Sequence, residues 1–150
     1  MDTTETDLHY LELTELAARI RAREISPVAV TRSQLERIAS VDVALGSYAL
    51  VMADVAMAEA ASAEAEITAG HYRGPLHGVP IAVKDLFWTK GLPTAAGMAI
   101  YKDFRPHDDA TVVRRLKEAG RGATRQAADD GRRLLRSPPI GDSTQESVEC

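Results

Sequence analysis

The sequence predicts an α/β chain in which helices surround a short apolar strand. Apolar residues recur three or four positions apart in residues 10–23, the spacing of one helical face. An alanine- and glutamate-rich run without proline lies at residues 51–70, and a buried strand with a helix after it at residues 80–119. Because only 5% of the 150 residues are aromatic, aliphatic side chains must build the core.

Three helices are predicted in the first half of the chain, beginning with residues 10–23. Ser26 and Pro27 read as an N-cap followed by proline at the first helical position, and the helix they open is expected to run to about Ala39. Its candidate packing residues are Val28, Val30, Leu35 and Ile38. The run at residues 51–70 predicts a third helix that ends at a glycine.

Shorter elements are predicted between and after these helices. Residues 41–50 are apolar and broken by Gly46, which favours a short extended segment. Residues 74–97 combine glycine and proline in a density that marks turns, and they enclose the apolar strand PIAVK at residues 80–84. Asp108 is predicted to cap a helix at residues 110–119, with Gly120 at its end and an apolar face formed by Val112, Val113 and Leu116.

Composition and charge exclude several classes of protein. The formal net charge of −4 argues against nucleic acid as the main partner, because phosphate binding needs a basic face. The opening MDTTETD is acidic, whereas a signal peptide needs a basic start and an apolar run. No apolar stretch approaches a membrane span in length, and the single cysteine, Cys150, has no disulfide partner. These features predict a cytoplasmic protein that binds neither nucleic acid nor membranes.

Lys84 is the candidate catalytic residue. It closes the apolar strand and precedes Asp85, where the chain enters the glycine-rich loop. A lysine held in a low-dielectric site has its charged form disfavoured, so its pKa falls and it can act as a base. A lysine at a strand end can also reach solvent or pair with Asp85, and residue type alone favours that structural role.

The motif around Lys84 favours catalysis, because residues 74–97 resemble the opening signature of the amidase-signature family. The family pattern is G-P-L-H-G-(apolar)-P-(apolar)-x-(apolar)-K-D, followed by T-x-G-x-P-T-x-x-G. The matching residues are Gly74, Pro75, Leu76, His77, Gly78, Pro80, Lys84, Asp85, Thr89, Gly91, Pro93, Thr94 and Gly97. A small hydroxyl residue often follows the last glycine in the family, whereas this chain has Met98. That departure concerns the substrate pocket and leaves the lysine in place.

The resemblance extends over roughly residues 10–120. An alanine-rich helix before the signature is usual for the family, and P-x-x-D-A-x-x-V-x-x-L-x-x-A-G after it is met by Pro106, Asp109, Ala110, Val113, Leu116, Ala119 and Gly120. It implies an α/β fold with a mixed sheet core flanked by helices. Residues 1–120 would be the N-terminal portion of that domain, and residues 121–150 a tail that does not belong to it.

The activity implied by the resemblance is hydrolysis of a small-molecule carboxylic amide by a Ser-Ser-Lys mechanism. Lys84 would take a proton through a bridging serine and so activate a second serine as nucleophile, while a G-G-S-S-G-G loop holds the oxyanion. Neither a metal nor an organic cofactor is implied. The chain has no G-G-S-S-G-G segment, and its tail serines, Ser137, Ser143 and Ser147, lack flanking glycine pairs. The chain by itself is therefore predicted to be inactive.

Two other functions stay open. The A-type component of a glutamyl- or aspartyl-tRNA amidotransferase shares this signature and passes ammonia to a partner, so its activity would depend on partner subunits. A non-catalytic pseudogene product or interaction fragment would hydrolyse no amide.

The remaining polar candidates have structural interpretations. His77 is expected to support the loop through a hydrogen bond, while His9 and His107 are expected to be solvated. Asp108 and Asp109 are interpreted as acidic residues at a helix N-terminus, where they interact with the helix dipole, rather than as a metal site.

Residues 121–150 differ from the rest of the chain. They contain five arginines, no lysine and no aromatic residue, and they show no sustained periodicity, which predicts a disordered tail. Our hypothesis is that the tail is translated out of frame. A permitted back-translation, regrouped in another frame, reads AVLLGKLQMTEGAYSDHHPSVTPPRNPWN, which begins with the strand that the family has at this point. One base inserted within the codon of Gly120, in the gene or in the determined sequence, would suffice.

The hypothesis has a structural consequence. The strand at residues 80–84 and the helix at residues 110–119 would be the first parts of a β-α-β crossover whose second parallel strand is missing. The apolar surface of residues 79–83 is then expected to stay exposed, and the chain to be marginally folded at best.

Overall fold

The computed structural model describes residues 5–120 and 127–128, which form four α-helices, three short strands and two 3-10 helices. The α-helices are α1 (Leu13–Arg21), α2 (Pro27–Leu45), α3 (Ala53–Thr68) and α4 (Thr111–Glu118). The strands are β1 (Tyr48–Leu50), β2 (Val83–Lys84) and β3 (Ala127–Ala128), and the 3-10 helices cover Glu5–Tyr10 and Ala99–Tyr101.

The start of α2 is the one that the sequence predicts. Ser26 is its N-cap, and the Ser26 hydroxyl oxygen accepts hydrogen bonds from the backbone N–H groups of Val28 at 3.1 Å and Ala29 at 3.2 Å. These bonds satisfy donors that have no partner within the helix, and Pro27 has no N–H to satisfy. The first predicted helix, residues 10–23, is confirmed in a shorter form as α1.

The end of α2 differs from the prediction. The helix continues to Leu45 instead of stopping near Ala39, because neither proline nor glycine interrupts it before Gly46. Gly46 takes the left-handed conformation with φ 60°, and its N–H donates to the carbonyl oxygen of Asp42 at 2.7 Å. The predicted extended segment at residues 41–50 is therefore correct only for β1.

Packing of α3 against α2 depends on small side chains. The buried residues of α3 recur three or four positions apart and are Ala56, Ala60, Ala63 and Ile67. Alanine lets two helix backbones approach closely, and the two helices are in contact along this face. The core cluster beside them consists of Leu8, Leu16, Ala17, Ile20, Val30, Ile67 and Val79. Ile20 is only 1% exposed, so Ile20→Ala is expected to lower the free energy of unfolding by about 2–5 kcal/mol.

The loop before β2 approaches the start of α2 very closely. Gly78 has φ 80°, and a Cβ atom at this position would lie 2.8 Å from Cγ of Pro27. A side chain is thus excluded by the left-handed backbone and by the neighbouring ring together. Gly78, the second glycine of the G-P-L-H-G motif, therefore allows the strand segment to pack against the helices.

Lys84 has a parallel neighbour in the sheet. β3 lies between β1 and β2, with Val83 paired to Ala127 and Lys84 to Ala128 in parallel, while β1 runs antiparallel to β3. The expectation that this strand would lack a parallel partner is therefore wrong, because two residues of the tail occupy that place. The rest of the predicted disordered tail, residues 121–126 and 129–150, lies outside the described residues.

The predicted strand at residues 80–84 is shorter in the structure. Among the described residues, the pairing is that of Val83 with Ala127 and Lys84 with Ala128. Val79 is 2% exposed in the core, and Ile81 packs half-buried against the same cluster. The prediction of an exposed apolar surface at residues 79–83 is thus wrong for these two residues.

The helix predicted at residues 110–119 is confirmed as α4. Val113 is buried and Leu116 half-buried, as expected for an apolar face. Val112, in contrast, is 38% exposed and does not belong to that face.

Candidate functional site

Lys84 ends β2 and lies half-buried in the wall of a small cavity. The wall consists of Leu50, Val83, Lys84, Asp85, Phe87, Thr89, Leu92, Pro93 and Thr94. Most of these side chains are apolar, so the lysine stands at the edge of a weakly polar surface. The cavity measures about 20 Å³, which is room for about one water molecule. These residues alone therefore do not form a binding site large enough for a substrate.

Asp85 anchors the turn that faces Lys84. The buried Asp85 carboxylate accepts a hydrogen bond from the backbone N–H of Ala95 at 3.2 Å. The turn at residues 95–98 is closed by a bond from Met98 N–H to the Ala95 carbonyl at 2.9 Å. Its central residues, Ala96 and Gly97, have φ values of 49° and 72°, as in a type I′ turn. Alanine is strained in this conformation, and the Asp85 bond helps to hold it there.

A two-stranded backbone ladder fixes the rest of the loop. The N–H of Gly91 donates to the carbonyl of Pro106 and the N–H of Thr94 to that of Phe104, both at 2.9 Å. The N–H of Ala110 donates to the carbonyl of Trp88 at 2.8 Å. The loop after Lys84 is therefore tied along its length to the segment that leads into α4.

Asp109 joins the same loop to α4. One Asp109 carboxylate oxygen accepts a bond from the backbone N–H of Lys90 at 2.8 Å, and the other pairs with the Lys117 ammonium group. Ala110, which has no side-chain cap, is the N-cap residue of α4, and Asp108 is exposed. The predicted Asp108 cap is therefore wrong, because α4 begins at Thr111 and Asp108 lies two residues before the N-cap position.

The threonines of the motif are structural as well. The buried Thr89 hydroxyl donates to the carbonyl of Phe87 at 3.2 Å, and the buried Thr94 hydroxyl donates to that of Leu92 at 3.4 Å. Both satisfy loop carbonyls at the cavity wall. The sequence reasoning did not assign a role to these threonines or to Asp85, although their places in the motif were the available signal.

His77 connects the motif to α3. It is 2% exposed, and its Nδ1 accepts a hydrogen bond from the backbone N–H of Arg73 at 3.2 Å. Because an N–H can only donate, the ring proton must sit on Nε2, which lies 3.3 Å from a carboxylate oxygen of Glu66. Burial lowers the pKa of His77, while the Glu66 carboxylate opposes that shift. The predicted supporting role of His77 is confirmed.

The two other predicted histidines behave differently from each other. His107 is exposed, as expected. His9 is half-buried: its Nδ1 lies 3.4 Å from the Ser33 hydroxyl, and its ring lies against Tyr10 at 4.3 Å. The expectation that His9 is solvated is wrong, because the 3-10 helix places it against α2.

Among the described residues, no serine lines the Lys84 cavity and no metal-binding cluster is formed. None of the cavity wall residues is a serine, and Ser137, Ser143 and Ser147 lie outside the described residues. In residues 5–120 and 127–128, no group of His, Cys, Asp and Glu is arranged to hold a metal ion. Over the same residues, no helix is long and apolar enough to cross a membrane.

Lys84 and the loop around it lie within a region that matches a known protein family. A family model described as Amidase matches residues 29–123, and the chain therefore belongs to the amidase family.

Relatives and solved structures agree with this assignment. A Mycobacterium tuberculosis (strain H37Rv) protein that bears the name amidase AmiD is 54% identical over 116 residues, which are 77% of this chain and 24% of that protein. The A-type component of the glutamyl-tRNA(Gln) amidotransferase of Acidothermus cellulolyticus is 46% identical over 115 residues, 77% of this chain and 23% of that protein. The native peptide amidase of Stenotrophomonas maltophilia superimposes with a TM-score of 0.74 at 34% identity, covering 82% of this chain and 25% of that one.

The chain spans about a quarter of the length of the curated relatives and solved structures that it matches. The matched structures have the amidase-signature fold, an α/β architecture, and this chain is a partial version of it. The comparisons thus define the family of the chain.

Proposed function

We propose that this chain carries the general base of an amide hydrolase and that Lys84 is that base. The observation that supports it is the position of Lys84: at the end of β2, half-buried at a mostly apolar cavity wall. The loop opposite is pinned by Asp85 and Asp109. A lysine in such surroundings can exchange a proton with a hydroxyl group placed in the cavity.

The reaction that fits this family is acyl transfer from a carboxylic amide to a serine. Lys84 takes a proton from a bridging serine, which takes one from the nucleophilic serine as its oxygen attacks the amide carbonyl. The C–N bond then breaks, the amine or ammonia leaves with a proton, and water hydrolyses the acyl-enzyme in a second step. Backbone N–H groups of a glycine- and serine-rich loop stabilise the oxyanion. No metal or organic cofactor takes part in this scheme.

We also propose that the chain by itself is inactive. In the described residues, no serine lines the Lys84 cavity, and its volume of about 20 Å³ is too small for an amide substrate. The purified chain, tested on aliphatic, aryl and peptide amides, is expected to show no turnover above that of Lys84→Ala. Turnover that survives Lys84→Ala in a contaminant-free preparation would contradict the assignment of the base.

A chimera tests Lys84 in an active setting. The matched 116 residues of the Mycobacterium tuberculosis AmiD protein are replaced by the corresponding residues of this chain. If that chimera hydrolyses an amide, Lys84→Ala should lower kcat by a factor on the order of 10²–10⁴, the usual effect of losing general acid–base catalysis. Lys90→Ala is the matched control, because that lysine is exposed on the same loop and uses its backbone N–H for its bond to Asp109.

A second candidate function rests on the similarity to the A-type component of tRNA amidotransferases. At 46% identity, the Acidothermus cellulolyticus protein is a somewhat more distant relative than the amidase at 54%. If this chain derives from such a component, genes for partner subunits should lie near its own, and amide hydrolysis by the chimera should depend on adding those subunits. Hydrolysis without them favours the free-standing amidase.

We also propose that residues 121–150 are read out of frame. The match to the family model stops at residue 123, close to the point where the composition changes. Sequencing the DNA across codons 118–124 is expected to reveal one extra base, with the shifted frame leading into a glycine- and serine-rich loop. The proposal is overturned if no other reading frame of that DNA leads into such a loop. If resequencing shows that the base is absent and that the family-like strand is encoded in frame after residue 120, the shift lies in the determined sequence.

A further inference from the structure

The tryptophan and both phenylalanines of this chain are partly exposed at the surface. The chain has one tryptophan and two phenylalanines. Trp88, Phe87 and Phe104 are 53%, 39% and 37% exposed, and none of them belongs to the aliphatic core cluster. The residues with the largest apolar surface therefore face outward, although their burial would have contributed most to stability.

Three of the exposed aromatic side chains form one patch. The rings of Trp88 and Phe104 meet edge to face with centroids 5.5 Å apart, and the ring of Tyr101 lies 6.1 Å from that of Phe104. We name Trp88, Tyr101 and Phe104 the aromatic face. Contiguous exposed apolar patches of this kind mark interaction surfaces, whereas scattered exposed side chains do not.

The aromatic face has a fixed backbone. The carbonyl of Trp88 accepts a bond from Ala110 N–H at 2.8 Å, and the carbonyl of Phe104 accepts one from Thr94 N–H at 2.9 Å. Both rings thus project from the ladder that holds the candidate site. A surface held in this way needs little ordering when a partner binds, which favours tight association.

The aromatic face is joined directly to the wall of the Lys84 cavity by the chain. Trp88 stands between Phe87 and Thr89, and both of these residues line the cavity. A partner seated on the aromatic face would therefore lie beside this wall, where it can bring its own groups toward Lys84.

We propose that the aromatic face is the docking surface for the part of an amidase-family domain that has no counterpart in this chain. The lengths of the proteins indicate which partner binds this surface. The chain spans about a quarter of its relatives, and the other three quarters must contact this quarter somewhere. Of the described surface, the aromatic face combines large exposed aromatic side chains with a direct chain connection to the wall of the Lys84 cavity. The docking surface rests on family membership. Only the expectation that the complex hydrolyses an amide depends on the proposed function.

The test is reconstitution from two polypeptides. The 150-residue chain, with 5-fluorotryptophan at its single tryptophan, is refolded together with the part of the Mycobacterium tuberculosis AmiD protein outside the matched 116 residues. We expect a one-to-one complex in size-exclusion chromatography with light scattering, and a shifted ¹⁹F resonance for Trp88. Phe104→Glu should weaken binding at least tenfold. Val43→Glu, at a 90% exposed apolar residue on α2, should leave Kd unchanged within twofold.

Each outcome decides the proposal in one direction. Circular dichroism and thermal unfolding establish that Phe104→Glu remains folded, and Tyr101→Lys replaces it if it does not. No complex, equal binding by both variants, or a self-associated chain whose ¹⁹F shift appears without the second polypeptide would overturn the docking surface. Lys84→Ala should bind normally and abolish any amide hydrolysis. A complex that forms through the aromatic face and hydrolyses no amide supports the docking surface and contradicts the proposed function alone.

Discussion

The carboxylate of Asp85 accepts a hydrogen bond from the backbone N–H of Ala95 at 3.2 Å, and this bond ties the neighbour of Lys84 to the turn at residues 95–98. Ten residues of chain separate the two groups, so the bond closes the loop around the cavity. The bond therefore links a residue of the cavity wall to the turn that follows the wall residues Leu92–Thr94.

Removing that anchor should loosen the loop. Asp85→Ala is expected to lower the free energy of unfolding by about 1–3 kcal/mol, because the N–H of Ala95 loses its partner. Asp85→Asn keeps an acceptor oxygen and should cost less. Urea denaturation gives the stabilities, and hydrogen exchange at Ala95 locates the effect. Asp103→Ala is the control, since its carboxylate is 88% exposed and 3.9 Å from Lys102; an equal loss there would contradict the anchor.

The stability of the chain should fall in mild acid because of His77. Burial lowers the pKa of His77 in the folded state, whereas an unfolded histidine titrates near 6.5. The unfolded chain therefore binds the proton first, so the contribution of neutral His77 is complete above about pH 6.5 and is lost as pH falls toward the folded-state pKa. Glu66 and Arg73 face the ring, and the carboxylate opposes the shift.

Urea denaturation between pH 5.5 and 7.5 checks this dependence. His77→Gln should reduce stability at pH 7.5 and flatten the slope against pH, because it removes the titrating group. His107→Gln, at an exposed position, should keep the slope of the parent chain. A slope that persists in His77→Gln would show that another group carries the dependence.

Two glycines with the same backbone conformation should respond differently to alanine. Gly78 and Gly91 have φ values of 80° and 75°, so both substitutions carry the left-handed cost of about 1–2 kcal/mol. At Gly78 the new Cβ would also lie 2.8 Å from Pro27, whereas nothing lies within 4 Å at Gly91. Overpacking should add about 1–3 kcal/mol at Gly78. Equal losses in urea denaturation would argue against the close approach.

Arg23 offers a stabilising substitution. It has φ 61° after the end of α1, where its N–H donates to the carbonyl of Ile20 at 3.0 Å. Arg23→Gly should relieve the strain of the left-handed conformation and, after the added flexibility of the unfolded chain, raise stability by about 0.5–1 kcal/mol. Arg21→Gly, in the last turn of α1, should lower it by up to about 1 kcal/mol. Thermal unfolding of both variants checks the opposite signs.

The cap of α2 should be worth a measurable amount. Ser26→Ala removes the oxygen that accepts from Val28 and Ala29 and is expected to cost about 1 kcal/mol. Ser62→Ala, at an exposed position within α3, should leave stability nearly unchanged. A Ser26→Ala variant as stable as the parent would mean that the capping bonds contribute nothing net.

Features with a local physical cause could be predicted from the sequence. Ser26 and Pro27 specify a helix start by their own hydrogen-bonding chemistry and backbone angle, and the proline-free, alanine-rich run at residues 51–70 predicts the helix observed as α3. The motif around Lys84 identified the family, which the match to residues 29–123 confirms. Each of these signals lies within about two dozen residues of chain.

Features that depend on distant partners could not be predicted. The acceptor for Lys90 N–H is Asp109, nineteen residues away, and no local pattern indicated this contact. The half-buried state of His9 depends on α2, and the pairing of β2 depends on two alanines of the tail.

The sequence by itself determined that this chain has capped, alanine-rich helices and the lysine motif of an amidase, since those properties arise from neighbouring residues. Only the tertiary structure decided which carboxylates pin the loop around Lys84 and that the aromatic side chains remain on the surface. The reason is that burial and hydrogen-bond partners are set by segments that meet in space, and their separation along the chain leaves no local pattern to read.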